Sequence, residues 1–455
     1  MAFNKKRWVD IFVLLALLCL SPIFFYKLGQ SSLVSWDEAW YASIARNIIT
    51  TGDFLKLFWN GKPFFDHPVG GFWWMAMSFK IFGVSDFSAR FASALFGILT
   101  LVFVYFLGKK LFNPWVGFAS ALALSSAPWF LYRARSGNLD IFLTFFFVAS
   151  ILLAILSLEN KKYFVVLGVS LALLFLTKTA VPLVITFPLI IVFFGKKVQV
   201  RELKRAAVPF AILAGGWFIA QLTFGFTFIE RYFRIGLPGV FVRNSYLDNL
   251  ILMKDYIHAG IGKWFWPGVA VVFGSLVLRK RSFYVLSALC LAFAAPFVFS
   301  SKGQIWHYIP IYPFLLLSLF GLGFWVIEKS FRSKYLAGAA IILISVYFSY
   351  PQVKRSWYEF IDIPAYVSDE AILSKEASKY PERLVVDGDF VPAAVFYSDK
   401  DNVIQSHRGE LKGLFATGDD FLLITNQFRL DEEEIPGRSY EIIKSDRDKI
   451  LIRKI

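Results

Sequence analysis

The chain has 455 residues, of which 57% are hydrophobic, 19% aromatic and only 18% charged, and its formal net charge is +15. A soluble globule is closer to half apolar and a quarter charged, so the composition argues against that class. The apolar excess falls in blocks of about twenty residues, the length a helix needs to cross a bilayer core. Cys19 and Cys290 both lie inside such blocks, which argues against a disulfide framework or a zinc cluster.

Lys5, Lys6 and Arg7 precede the first block, Trp8 to Leu28. It imitates a signal peptide, but it is long for one, and no small-x-small cleavage site follows Ser21-Pro22. It reads as a retained span. Further spans fall near 89–108, 114–132, 139–157, 163–177, 179–195, 207–224, 262–278, 282–300, 306–327 and 334–350. That makes about eleven, within a range of 10–13. The pair around Lys178 is open to being broken or re-entrant. With a cytoplasmic N-terminus, the inside loops carry Lys109-Lys110, Lys161-Lys162, Lys196 to Arg205, Arg279-Lys280-Arg281 and Lys329 to Lys334. The short outside loops hold only Arg133, Arg135, Lys178 and Lys302, which is the positive-inside pattern. The positive charge is then topological anchoring, and no nucleic-acid partner is expected.

The expected division is a transmembrane domain over 1–350 and an extracytoplasmic tail over 351–455. Two outside loops interrupt the first. Loop 29–88 opens with Trp36-Asp37-Glu38 and an amphipathic helix through Ile49, with Trp40, Ile44 and Ile48 on its apolar stripe and Arg46 off it. Its later aromatic run suits a helix lying in the interface. Loop 225–261 reads as a juxtamembrane helix pair carrying Arg231, Arg234 and Arg243. The tail turns ordinary and charged, with strand-like runs at Leu384–Val386, Phe421–Thr425 and Ile450–Ile452, so a small α/β domain is expected.

Chemistry is sought among polar residues placed where they are costly. Asp37 and Glu38 are read either as helix-start acids favoured by the macrodipole or as a general base with a positioning neighbour. Asp66-His67-Pro68 is a turn able to cap a helix, bind an anion or ligate a divalent metal. Asp140, at the end of an apolar span, is either paired structurally with Arg135 or functional. Lys178 either snorkels or neutralises a phosphate. Lys302 with His307-Tyr308 forms a similar cluster. All of these converge on one outer face, which raises the functional reading.

Several of these strings resemble one membrane family. Trp36-Asp37-Glu38-Ala39-x-Tyr41, Ala45-Arg46 and Gly52-Asp53 are similar to the first extracytoplasmic loop of GT-C glycosyltransferases that use lipid-linked sugars. The branch is that of the protein O-mannosyltransferases and lipid A aminoarabinose transferases. The likeness runs through Asn60-Gly61-Lys62-Pro63-Phe64-Phe65-Asp66-His67-Pro68, Phe82-Gly83 and Ser88-Ala89-Arg90, and then through Arg135 with Asp140, Leu176-Thr177-Lys178, and Lys302 with His307-Tyr308. It covers about the first 330 residues. His67 departs from the family's usual Lys, which strengthens the alternative of metal assistance through Asp66 and a histidine without displacing the metal-free reading; Val69 departs from its usual second Pro.

The resemblance implies an all-α polytopic GT-C fold and an inverting transfer from a polyprenyl-phosphate sugar, of undecaprenyl type, to a glycolipid, protein or cell-surface polymer. Asp37 would be the base, with Glu38 and Asp140 beside it. His67, Arg135, Lys178, Arg231, Arg234, Arg243, Lys302, His307 and Tyr308 would serve the donor phosphate and substrate. No cofactor is required, and a divalent metal is admitted. A multi-pass protein of a bacterial plasma membrane, active on its outer side, is expected. A lipid or solute transporter and a non-catalytic scaffold are the rival readings. The absence of a repeat relating the halves counts against the transporter.

Overall fold

The computed structural model describes residues 5–179, 181–236, 245–275, 280–299 and 303–455. The chain divides into two compact units. One comprises Met1–Lys27, Phe65–Gly71 and Ala92–Ile363; the other comprises Leu28–Phe64, Phe72–Phe91 and Pro364–Ile455. The second thus joins most of the first loop to the tail.

The first unit is helical, and the architecture is the expected polytopic bundle. Seven helices among the described residues are long and apolar enough to cross a membrane, with shorter apolar ones at Pro114–Ser125, Tyr163–Phe175 and Val181–Phe193. Proline explains much of the shortening. Pro128 has no N–H to donate, so the expected span 114–132 breaks, and a second helix, Pro128–Ala134, starts there. Pro209 stands just before a wide π turn at Ala211–Gly215 in the 200–224 segment. Small residues allow close packing: a side chain on Gly117 would strike the Tyr105 carbonyl of the preceding helix. Loop 225–261 contains helices Phe226–Gly236 and Tyr246–Ile261, as expected.

In the second unit, Trp40–Thr51 is helical and a short hairpin follows, β1 (Phe58–Trp59) with β2 (Lys62–Pro63). The tail forms five strands, β3 (Arg383–Asp387), β4 (Ile404–Ser406), β5 (Phe421–Thr425), β6 (Tyr440–Asp446) and β7 (Lys449–Lys454), in the order β4-β3-β5-β7-β6. β3 is parallel to β4 and β5, and β7 runs antiparallel. Alternation divides the side chains between two cores: Leu384, Val386, Leu422 and Ile424 face one, and Val385, Phe421, Leu423 and Ile452 the other. Helix Val391–Ser398 reaches the first loop. Arg46, expected on the polar side of its helix, is buried there and donates to the carbonyls of Phe396 (2.8 Å) and Val395 (3.2 Å).

Candidate functional site

In the second unit, Asp37 and Glu38 do not begin a helix. Trp36 is extended (φ −81°, ψ 154°), Asp37 has φ 59° and ψ −73°, and the regular helix starts at Trp40. Neither acid therefore lies in that helix's first turn. Asp37 sits in the γ-turn region, which costs on the order of 1–3 kcal/mol and persists only where the surroundings enforce it. They do so here. The Ala39 N–H donates to the Val34 carbonyl (3.0 Å), bracketing the turn. Buried Glu38 accepts from Arg90 Nε and Nη2, both at 2.8 Å, and from the Val34 N–H at 3.0 Å. Arg90 also donates to the carbonyls of Leu28, Ser31 and Ser32. Glu38 is committed as an anchor, while Asp37 beside it is half-buried.

In the first unit, the chemistry gathers on Asp140, which is 1% exposed. Its Oδ2 accepts from Arg133 Nη2 (2.6 Å) and Nε (3.0 Å), and its Oδ1 accepts from Lys178 Nζ (2.5 Å). Arg135, the expected partner, instead donates to the carbonyls of Ile23 (2.8 Å) and Tyr26 (2.7 Å) and ties down the end of the first span. The turn between the helices decides the choice. Asn138 Nδ2 donates to the Arg133 carbonyl (2.6 Å), and Asn138 Oδ1 accepts from the Asp140 N–H (2.9 Å), which brings residue 133 round to residue 140. The Arg133 guanidinium also lies 4.9 Å from the Trp306 ring centre.

Two cations thus share one carboxylate. His67 and His307 are within its electrostatic reach. Burial, with the Lys178 cation beside it, pushes the partly covered His67 imidazole down to about 3, against the opposing pull of Asp140. It is a neutral hydrogen-bonding ring at physiological pH. His307 Nδ1 accepts from the Gln304 N–H (3.2 Å), which leaves the proton of a neutral ring on Nε2. Backbone bonds bring the strings together. The Gly70 N–H donates to the Leu176 carbonyl (2.7 Å), and the Thr179 hydroxyl donates to the Asp66 carbonyl (2.9 Å). A Cβ on Gly70 would lie 2.8 Å from that Leu176 oxygen, so glycine is needed.

Residues 66–222 match the family model described as dolichyl-phosphate-mannose-protein mannosyltransferase. An uncharacterized protein of Aquifex aeolicus (strain VF5) is 30% identical over 219 residues, covering 46% of this chain and 43% of its own length. The undecaprenyl phosphate-alpha-4-amino-4-deoxy-L-arabinose arabinosyl transferase of Yersinia enterocolitica is 31% identical over 222 residues, 45% of this chain and 39% of its own. The chain therefore spans less than half of either relative. The crystal structure of ArnT from Cupriavidus metallidurans bound to undecaprenyl phosphate superposes with a TM-score of 0.76 at 16% identity, covering 99% of both chains. The chain thus shares the fold of ArnT, and its residues 66–222 resemble the mannosyltransferase family.

Asp66 is half-buried, and burial raises its carboxyl above the usual range while Arg231 pulls it back. Asp66 and His67 offer a metal two donors, and no group of three or more His, Cys, Asp or Glu side chains placed to hold an ion occurs among the described residues. Tyr308 is buried against Phe297 and Tyr256. The Arg234 side chain, Arg243 and Lys302 lie outside the described residues. Sequence reasoning did not single out Arg133 as the Asp140 partner or Arg90 as the Glu38 partner. Arg90 falls within a string that carries the family likeness, which is a usable signal. Nothing in the spacing separates Arg133 from Arg135 until the Asn138 turn is known.

Proposed function

We propose that the protein transfers a sugar from a polyprenyl-phosphate donor, of undecaprenyl type, to an acceptor hydroxyl on a glycolipid, protein or polymer at the outer face of a bacterial plasma membrane. The observation that carries this reading is the strained backbone of Asp37 beside an anchored Glu38, in a chain of GT-C type. A backbone held at such a cost marks a carboxylate whose placement matters more than its local comfort. Asp37 accepts the acceptor's proton as that oxygen bonds to the anomeric carbon. The bond from that carbon to the phosphate oxygen breaks, and the lipid phosphate leaves with the electron pair. One displacement inverts the centre, so a single base suffices.

The Asp140 cluster receives the donor phosphate. Arg133 and Lys178 supply the positive charge, and the neutral rings of His67 and His307 add donors without further charge. Asp140 fixes the two cations and takes no proton. The test is Asp37→Asn in membranes of cells lacking the native protein. Sugar transfer should fall by roughly a hundred- to ten-thousandfold, the order lost when general-base catalysis is removed, while undecaprenyl phosphate still binds. Full transfer in that variant would reject Asp37 as the base, and unchanged lipid-linked sugars on deleting the protein would reject the transferase reading altogether.

A further inference from the structure

The stretch before Asp37 has no regular partner in its own loop, yet its polar groups are satisfied one after another by the tail. The Ser32 N–H donates to the Tyr366 carbonyl at 3.0 Å. Ser31 Oγ accepts from the Tyr366 N–H (3.1 Å), and Ser32 Oγ from the Ser368 N–H (3.0 Å). The Leu33 N–H donates to the Tyr397 hydroxyl at 2.6 Å, and that hydroxyl donates to Asp86 Oδ1 at 2.5 Å. Ser35 Oγ accepts from the Ala393 N–H at 3.3 Å. On the far side of Asp37, Arg46 donates to the carbonyls of Phe396 and Val395. One short helix, Val391–Ser398, therefore holds the chain on both sides of the γ-turn.

We infer that the tail domain is a clamp that fixes the geometry of the Asp37 turn, and that Tyr397 is a positioning residue acting through Leu33. The catalytic half of this statement rests on Asp37 being the base; the mechanical half does not. Tyr397 is buried, and its hydroxyl both accepts and donates, so it links the Leu33 strap to Asp86. Asp86 lies on the same segment as Arg90, the residue that grips Glu38. The strap before the turn and the anchor after it are thus tied to each other through one phenol. Anchoring the tail alone would not require bonds on both flanks of the strained Asp37.

Tyr397→Phe keeps the ring and removes the hydroxyl; Ser35→Ala is the milder second variant. Hydrogen exchange in the full-length protein reads the mechanical half. Exchange at residues 33–39 should speed up by roughly tenfold or more in Tyr397→Phe, the fold-change that follows from losing a buried hydrogen bond, while the β3–β5–β7 core is unchanged. Unaltered exchange at 33–39 in both variants would overturn the clamp, whatever Asp37 does. Turnover is read with the lipid-linked sugar isolated from cells lacking the protein. Turnover per folded molecule should drop about tenfold in Tyr397→Phe at an unchanged KM for that donor, with no further drop when Tyr397→Phe is added to Asp37→Asn. A purely structural role would lower the yield of folded protein, leave turnover per molecule intact, and refute the positioning assignment. Faster exchange together with a fully active Asp37→Asn would uphold the clamp and overturn only the base.

Discussion

Lys178→Met tests the phosphate-binding role of the cluster directly. The substitution removes one cation and leaves Asp140 bonded twice to Arg133, so the buried carboxylate stays neutralised and the helix ends keep their turn. The protein loses one charge-assisted bond at 2.5 Å, worth about 1.5–3 kcal/mol, from which the apolar Met stem recovers part. The site loses one positive charge. If a phosphate contacts that cation, losing a charged hydrogen bond of about 2–3 kcal/mol weakens binding about 30- to 140-fold, at 1.4 kcal/mol per decade. Undecaprenyl phosphate binding to the purified protein in nanodiscs, measured by calorimetry at two ionic strengths, is the assay. Arg135→Met is the control, because Arg135 donates to the backbone carbonyls of Ile23 and Tyr26 and its loss should lower Tm without altering affinity. Equal affinities for Lys178→Met and the native protein would refute the phosphate role of the cluster.

Glu38→Ala should destabilise the protein by roughly 3–5 kcal/mol, since it strands the buried Arg90 guanidinium, with the drop read as a lower Tm in detergent. A change under about 1 kcal/mol would mean that Arg90 finds its charge balance elsewhere. His67 gives a pH prediction. Its folded-state pKa lies near 3 against about 6.5 unfolded, so the unfolded chain binds the extra proton between those values. Stability from this site is therefore complete above about pH 6.5 and declines as the pH falls toward 3, by at most about 1.4 kcal/mol per unit. His67→Gln should flatten that part of the melting profile; an unchanged slope would show that His67 is not buried as a neutral ring.

The membrane class and the α/β tail were legible because they rest on bulk patterns. Blocks of about twenty apolar residues need no tertiary information, and β5, Phe421–Thr425, is apolar on both faces as a central parallel strand must be. β4 and β6 were not legible: one has three residues, and the other is a half-exposed edge with no clean alternation. The site was legible in its residue types and opaque in its pairings. Asp140, Lys178, His67 and His307 could be singled out as polar residues among apolar ones, and they fall together. That Glu38 is an anchor and Asp37 a strained neighbour depends on Arg90, fifty-two positions away, and on a backbone angle that no residue pattern announces. Arg46 misled for a similar reason: its polar side met another part of the chain where water was expected.

The strap at residues 31–35 has a consequence for biosynthesis. Its partners lie more than three hundred positions downstream, as Ser32 and Ser368 do at a separation of 336. At about 5–20 residues per second, the ribosome needs roughly 15–70 s to supply them after the strap has emerged. Until then the Asp37 turn keeps the Val34–Ala39 bond and the Glu38–Arg90 anchor but lacks the tail bonds that hold the strap before it. The share of the geometry that the tail supplies is therefore set only after residues 366–397 have been made, so this part of the first loop matures late although it is synthesised early.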